Sequence, residues 1–208
     1  MPATLRHEIA RKGIHLASSA IPIAYAAGLP HAVLVPALGA AGVAAAAIEV
    51  ARTRSPRARD TFERLVGPLL RPHERGRWSG ATWMCAAYLI VVIVFPRPEA
   101  VAAMLAVSFG DAAAAVIGRV ASARARARRA EGADARAAGR KTWIGSLACL
   151  SATMTGALVV ARLDVAAAFA CGAAAMLAER PRWAVDDNVR VALAAGAAAW
   201  AVARLGGG

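Results

Sequence analysis

The stretch Ser108-Phe109-Gly110-Asp111-Ala112-Ala113-Ala114-Ala115-Val116-Ile117-Gly118-Arg119 decides how the chain is read. It sets one ionisable residue, Asp111, inside an apolar run that starts near Glu99. A carboxylate at membrane depth costs about 2.5–3.5 kcal/mol on insertion scales, so by default it faces a protein interior or an aqueous cavity and marks function. Gly110 and Gly118 flank it at helical spacing and let a neighbouring backbone or a ligand approach closely. Arg119 ends the run where lipid gives way to water. Two readings of Asp111 stay open. It holds a metal ion, to which the other helices bring phosphate ligands and a lipid, or it is a buried acid hydrogen-bonded to a neighbouring helix for packing.

Working outward, apolar blocks of membrane-spanning length recur along the chain. The 208 residues are 59% hydrophobic and 18% charged, with a mean hydropathy of +0.49. This predicts an all-α fold, a polytopic integral membrane protein with about seven transmembrane helices, as one membrane domain over residues 1–208. Spans are expected at Gly13 to Leu29, Ala32 to Ala51, Ser79 to Phe95, Glu99 to Gly118, Thr142 to Ala161, the segment from Asp164 to Glu179, and Val189 to Leu205. The first is interrupted mildly by Pro22. A cleaved leader competes for that segment, with a basic head, an apolar core and Ala24-Tyr25-Ala26. Arg11 and His15, at i and i+4, share a helix face, a pairing that a discarded leader has no use for. Within the 52–78 loop, Asp60 to Leu70 is spaced as an amphipathic helix for the membrane surface. Ala121 to Ala138 has no apolar stripe and reads as a solvated helix or a disordered arm.

The net charge of +12 invites a nucleic-acid reading, but its distribution argues against nucleic acid as a partner. Of the 25 Lys and Arg, 22 lie in the head, the 52–78 and 119–141 loops, and the 180–188 loop with Arg190. Arg97, Arg162 and Arg204 alone lie on the other side. The positive-inside rule then puts the head and the three charged loops in the cytoplasm. Trp78, Trp143 and Trp183 fall near that interface, as an aromatic belt does. Cys85, Cys149 and Cys171 each stand alone in an apolar span and read as small packing residues, with neither disulfide nor zinc spacing.

The acids fall on the same level. Glu49 closes the second span, Asp111 sits in the cytoplasmic half of the fourth, and Glu179 closes the sixth, with Asp186-Asp187-Asn188 directly after. Hard cations such as Mg²⁺ take carboxylate oxygens, and in phosphotransfer sites one or two carboxylates share the metal with substrate phosphates. For Glu49 alone, a solvated or arginine-paired end is the better reading. Asp111 and the Asp186-Asp187 pair together point to function. Arg119, Arg140 and Lys141 flank the second long loop on the same face, where phosphoryl transfer needs cations. Gly139-Arg140-Lys141-Thr142 is not a Walker A motif, because the upstream glycine spacing is missing.

Taken in order, these pieces resemble a family: Arg11-Lys12-x-x-His15, Gly80-Ala81-Thr82, Phe109-Gly110-Asp111-Ala112-Ala113-Ala114 with Gly118-Arg119, Lys141-Thr142-x-x-Gly145-Ser146-Leu147-Ala148, and Glu179 with Asp186-Asp187-Asn188. The set is similar to the CTP-dependent lipid-alcohol kinases, namely dolichol kinase, phytol kinase and the yeast-type diacylglycerol kinase, and distantly to phosphatidate cytidylyltransferase. The Ala/Arg-rich insertion before Gly139 departs from a compact loop and puts the register of Arg119 against Lys141 in question. The resemblance implies transfer of the γ-phosphate of CTP to the hydroxyl of a membrane lipid alcohol, at the cytoplasmic face of the inner or plasma membrane.

Carried over residue by residue, it implies that Asp111 and Asp187 hold Mg²⁺. Arg119 and Lys141 grip the phosphates, and Thr142, Gly145 and Ser146 supply hydroxyl and backbone contacts. Asp186 or Glu179 orients the lipid hydroxyl, and Lys12 and His15 contact nucleotide or phosphate. For His15 an ordinary hydrogen-bonded interfacial role competes. CTP as donor rests on the resemblance, since no residue physically demands cytosine. Two alternatives remain: transfer of CMP to a lipid phosphate, and a transporter whose acids couple ions. Ala/Gly-rich spans favour close packing within or between chains, a homodimer included.

Overall fold

The computed structural model describes residues 12–67, 70, 77–128, 142–180 and 185–206, and these are helical throughout, with no strand among the described residues. In chain order they form α1 (12–17), α2 (Ala20–Ala26), α3 (His31–Arg54), α4 (Pro56–Val66), α5 (Gly80–Val94) and α6 (Arg97–Leu105). A five-residue π-helical stretch, Ala106–Gly110, leads directly into α7 (Asp111–Arg128), followed by α8 (Trp143–Val159), α9 (Val165–Glu179) and α10 (Asp187–Gly206).

Three helices are long and apolar enough to cross a membrane by length and composition: His31–Arg54, the continuous Arg97–Ser122 segment and Asp187–Gly206. The apolar helices α5, α8 and α9 have 15, 17 and 15 residues, short of the roughly 20 that a full crossing takes. The expected first span is two short helices. The break falls at Ser18 and Ser19, one turn before Pro22, which has no N–H to give the Ser18 carbonyl. There the Ser18 and Ser19 hydroxyls donate to the carbonyls of His15 and Leu16.

The helix of residues 97–128 is the axis of the bundle. Ala100 through Val107 are all buried, and a helix apolar on every side belongs in a core. Around it pack α2, α5, α8, α9 and α10, while α3 lies outside, against α5 and α4. The surface helix starts and stops earlier than the expected Asp60 to Leu70. Ser55 Oγ accepts the Ala58 N–H, and Pro56 stands at the first helical position, so α4 begins at Pro56 and ends at Val66. Of the expected 121–138 arm, α7 covers the part up to Arg128; the remainder lies outside the described residues.

Small residues set how closely the helices approach. A Cβ on Gly145 of α8 would sit 2.9 Å from the Ala114 carbonyl oxygen of α7, and one on Gly172 of α9 2.8 Å from the Leu150 carbonyl oxygen of α8. Both neighbours are backbone and cannot swing aside. The close approach expected at Gly118 is likewise made by α8, through Thr142 and Gly145.

Gly172→Ala is therefore expected to destabilise by about 1–3 kcal/mol, the usual range for overpacking. Gly42→Ala on α3, where a Cβ meets nothing within 4 Å, should be neutral or stabilising by up to about 1 kcal/mol through lower unfolded-state entropy. Thermal unfolding of both variants in detergent checks the contrast.

Candidate active site

The helical register changes directly before Asp111. Five residues of π-helix, Ala106–Gly110, separate α6 from α7, and such bulges are frequent at functional sites. Around this stretch the Met104 carbonyl accepts hydrogen bonds from Ser108 Oγ (3.1 Å) and the Tyr88 hydroxyl (3.3 Å). Tyr88 in turn stands 3.1 Å from Ser18 Oγ, so α5 ties the π stretch to the end of α1.

Asp111 meets α1. Lys12 Nζ donates to Asp111 Oδ2 in an ion pair and also to the Asp111 backbone carbonyl at 3.2 Å. His15 Nδ1 lies 3.6 Å from the same Oδ2, beyond hydrogen-bond distance but close enough to sense its charge. Lys12 and His15 are 6% and 8% exposed, and the Asp111 side chain keeps 22% of its surface open. Residues one helical turn apart, Lys12 and His15, thus converge on one carboxylate from the same face of α1. Of the expected phosphate contacts, these two stand on the acid itself.

The other expected residues occupy two further groups. On the α8 side, a Cβ on Gly110 would meet Cys149 Sγ at 3.1 Å and Thr153 Oγ1 at 2.6 Å. Glu179, at the end of α9, is buried. Thr142 Oγ1 accepts the Gly145 N–H at 3.1 Å and caps α8, which commits that acceptor to the helix. Ser146 is buried on the next position, and Arg119 Nε donates to the Ala115 carbonyl at 3.1 Å. Arg119 lies eight residues past Asp111, about 12 Å along the axis.

The third group is at the start of α10. Asp186 Oδ1 accepts the Asn188 N–H at 2.9 Å, Asp187 opens the helix half-buried, and Asn188 Nδ2 donates to the Gly80 carbonyl at 3.1 Å. Arg11, Arg140, Lys141 and Trp183 lie outside the described residues.

Glu49 is paired with arginine, as expected, but it is not solvated. It is 1% exposed, pairs with Arg52 Nε, and accepts the Ser79 N–H at 2.8 Å and the Thr82 hydroxyl at 3.2 Å. Arg52 also donates to the Arg77 carbonyl and lies 4.8 Å over the Phe62 ring of α4. The acid at the end of α3 thereby fixes the N-terminus of α5. The sequence signal was available: an acid and an arginine three apart at a span end, with a Ser-Gly-x-Thr run downstream.

Beside the Lys12–Asp111 pair, a groove of about 880 Å³ runs between α7 and α8. Leu16 of α1, Phe109 of the π stretch, Ala113 and Ile117 of α7, and Leu147 and Thr155 of α8 contribute to its walls.

Among the described residues, no group of three or more His, Cys, Asp or Glu side chains is gathered tightly enough to hold a metal alone. A Mg²⁺ here would have only one or two carboxylates to take and would complete its shell with phosphate and water.

The chain is 30% identical over 115 residues to CTP-dependent diacylglycerol kinase 1 of Schizosaccharomyces pombe. The alignment covers 55% of this chain and 53% of that protein, so the chain spans about half the length of the curated relative it matches. No protein-family model matches the chain, and no solved structure matches it.

Proposed function

We propose that this protein is a membrane kinase that transfers the γ-phosphate of CTP to the hydroxyl of a membrane lipid alcohol, a diacylglycerol or a polyprenol-type alcohol. The observation that carries the reading is the partly buried Lys12–Asp111 pair with His15 beside it, one residue away from the lining of an apolar groove. The partial similarity to a CTP-dependent diacylglycerol kinase supports the donor and the class of acceptor. The site works at the cytoplasmic face, where the basic loops gather under the positive-inside rule.

In the reaction the lipid hydroxyl oxygen attacks the γ-phosphorus, the bond from that phosphorus to the β-bridging oxygen breaks, and CDP leaves. The hydroxyl proton passes to a carboxylate. Asp186 and Glu179 are the acids assigned to orient that hydroxyl, with Asp111 at the centre of the site. Asp111 and Asp187 are the acids that would hold Mg²⁺, which would supply neutralising charge for the phosphate oxygens. Phosphoryl transfer is mostly positioning plus electrostatic stabilisation, so the protein's share is to place cations and exclude water. Lys12 and His15 would meet the phosphates from α1 and Arg119 from α7, and Lys141, outside the described residues, is proposed to join them. The N-terminal turn of α8, which Thr142 caps and Gly145 and Ser146 complete, turns the partial positive end of its helix toward an anion.

CTP labelled separately at the α and γ positions tests the reaction on purified protein with a panel of lipid alcohols. Label reaching lipid only from the γ position is expected; label arriving only from α means CMP transfer, and no transfer under any nucleotide favours a non-enzymatic membrane protein.

Asp111→Asn should abolish lipid phosphorylation while the protein still inserts into membranes, and full activity in that variant refutes the metal role.

Lys12→Met should lower kcat by about 10²–10³, the usual effect of removing one charge-stabilising donor, with partial recovery in Lys12→Arg. If Lys12 serves packing alone, the variant loses thermal stability while the folded fraction keeps its kcat.

A further inference from the structure

The α7–α8 groove has a shape and position that the phosphate chemistry does not account for. It is apolar along its length, and several of its wall residues, including Val116, Ile144, Leu147 and Val159, are among the most exposed large hydrophobics of the chain. Thr155 Oγ1 donates to the Ser151 carbonyl at 2.8 Å, which spends its proton on the helix and turns its methyl outward. In a bilayer such a groove fills with hydrocarbon, because neither water nor a polar group gains by entering it.

Its geometry narrows the occupant. Gly110, next to Asp111, packs against Cys149 of α8, so the acid stands level with Cys149. From Cys149 to Val159 the groove wall extends about 15 Å at 1.5 Å per residue, and one leaflet of a roughly 30 Å hydrocarbon core has that thickness. Leu16 and Ala112 line the groove, and each is the chain neighbour of a site residue, His15 and Asp111. The groove thus comes within one residue of the polar cluster on both α1 and α7.

We propose that this groove binds one hydrocarbon chain of the acceptor lipid, extended from Asp111 toward Val159, and so sets the hydroxyl against the site. The proposal rests on the lipid-kinase reading and adds where the acceptor lies. Small side chains at Ala113, Ala148 and Ala152 keep the floor open.

The test compares Ala152→Phe and Thr155→Phe, which fill the groove, with Val43→Phe on α3, a side chain 72% exposed and away from it. The two groove variants should raise KM for a long-chain lipid alcohol by about tenfold or more, since the displaced methylenes lose their contact. KM for CTP and kcat/KM for a short-chain analogue should stay at wild-type values, as should every constant of the α3 control. A photoreactive long-chain alcohol should label α8 peptides, with excess unlabelled alcohol as competitor. Active variants with an unchanged long-chain KM overturn the groove and leave the kinase reading standing. A wild-type protein that phosphorylates no alcohol overturns the kinase reading and the acceptor site with it. Labelling that ordinary phospholipid displaces as well as the alcohol does means bulk lipid fills the groove and overturns the proposal. Disulfide-linked dimers from Thr155→Cys do the same, with a second copy as occupant.

Discussion

A partly buried contact between an ammonium and a carboxylate, Lys12 with Asp111, joins residues 99 positions apart in sequence. The ammonium is drawn out of water while the carboxylate keeps part of its surface open, so losing the acid would leave the Lys12 charge uncompensated among apolar helices. The contact therefore fixes α1 against the bundle axis. It also gathers a cation, an imidazole and an acid where the surrounding helices are otherwise Ala, Val and Leu. An interior with few polar groups makes each of these charges count for more.

The rest of the bundle serves that contact through close helix approach. Gly145 and Gly172 let α8 lie against α7 and α9 at backbone distance, which brings Cys149, Thr153 and Glu179 up behind Gly110. On the opposite flank, Glu49 with Arg52, and Asn188 with Gly80, lock three helix ends into one layer. Such polar clasps suit an apolar bundle, in which dispersion alone gives helices little reason to keep one rotation. The two kinds of contact divide the labour: glycines set distance, and buried polar pairs set rotation.

Much of this was legible in the sequence. A lone acid in an apolar run pointed to Asp111, and helical spacing put Arg11 and His15 on one face with Lys12 in the same turn. What spacing did not reveal was that this face meets Asp111, because partner choice between distant helices is a tertiary property. The break at Ser18-Ser19 was visible only as Pro22, since a proline frees a carbonyl one turn earlier. The expected surface helix fell too far toward the C-terminus because it followed the apolar stripe and not the cap at Ser55, from which α4 starts. Glu49 looked solvated because acids at span ends usually are; its burial depends on Ser79 and Thr82 arriving from another helix. The π stretch has no composition signature at all in an Ala-rich run.

That stretch has a consequence for how the axis tolerates change. A π turn carries one residue more than an α turn needs, and each helical residue advances by about 100°. Everything after Gly110 is thus out of phase with everything before Leu105. The half of the axis wrapped by α2, α5 and α10 and the half that presents Asp111 have independent angular settings. Excising one residue from Ala106–Gly110 would swing the acid around the cylinder and away from its ammonium, with no side chain of either half altered. Length, at this one point, is as constrained as chemistry.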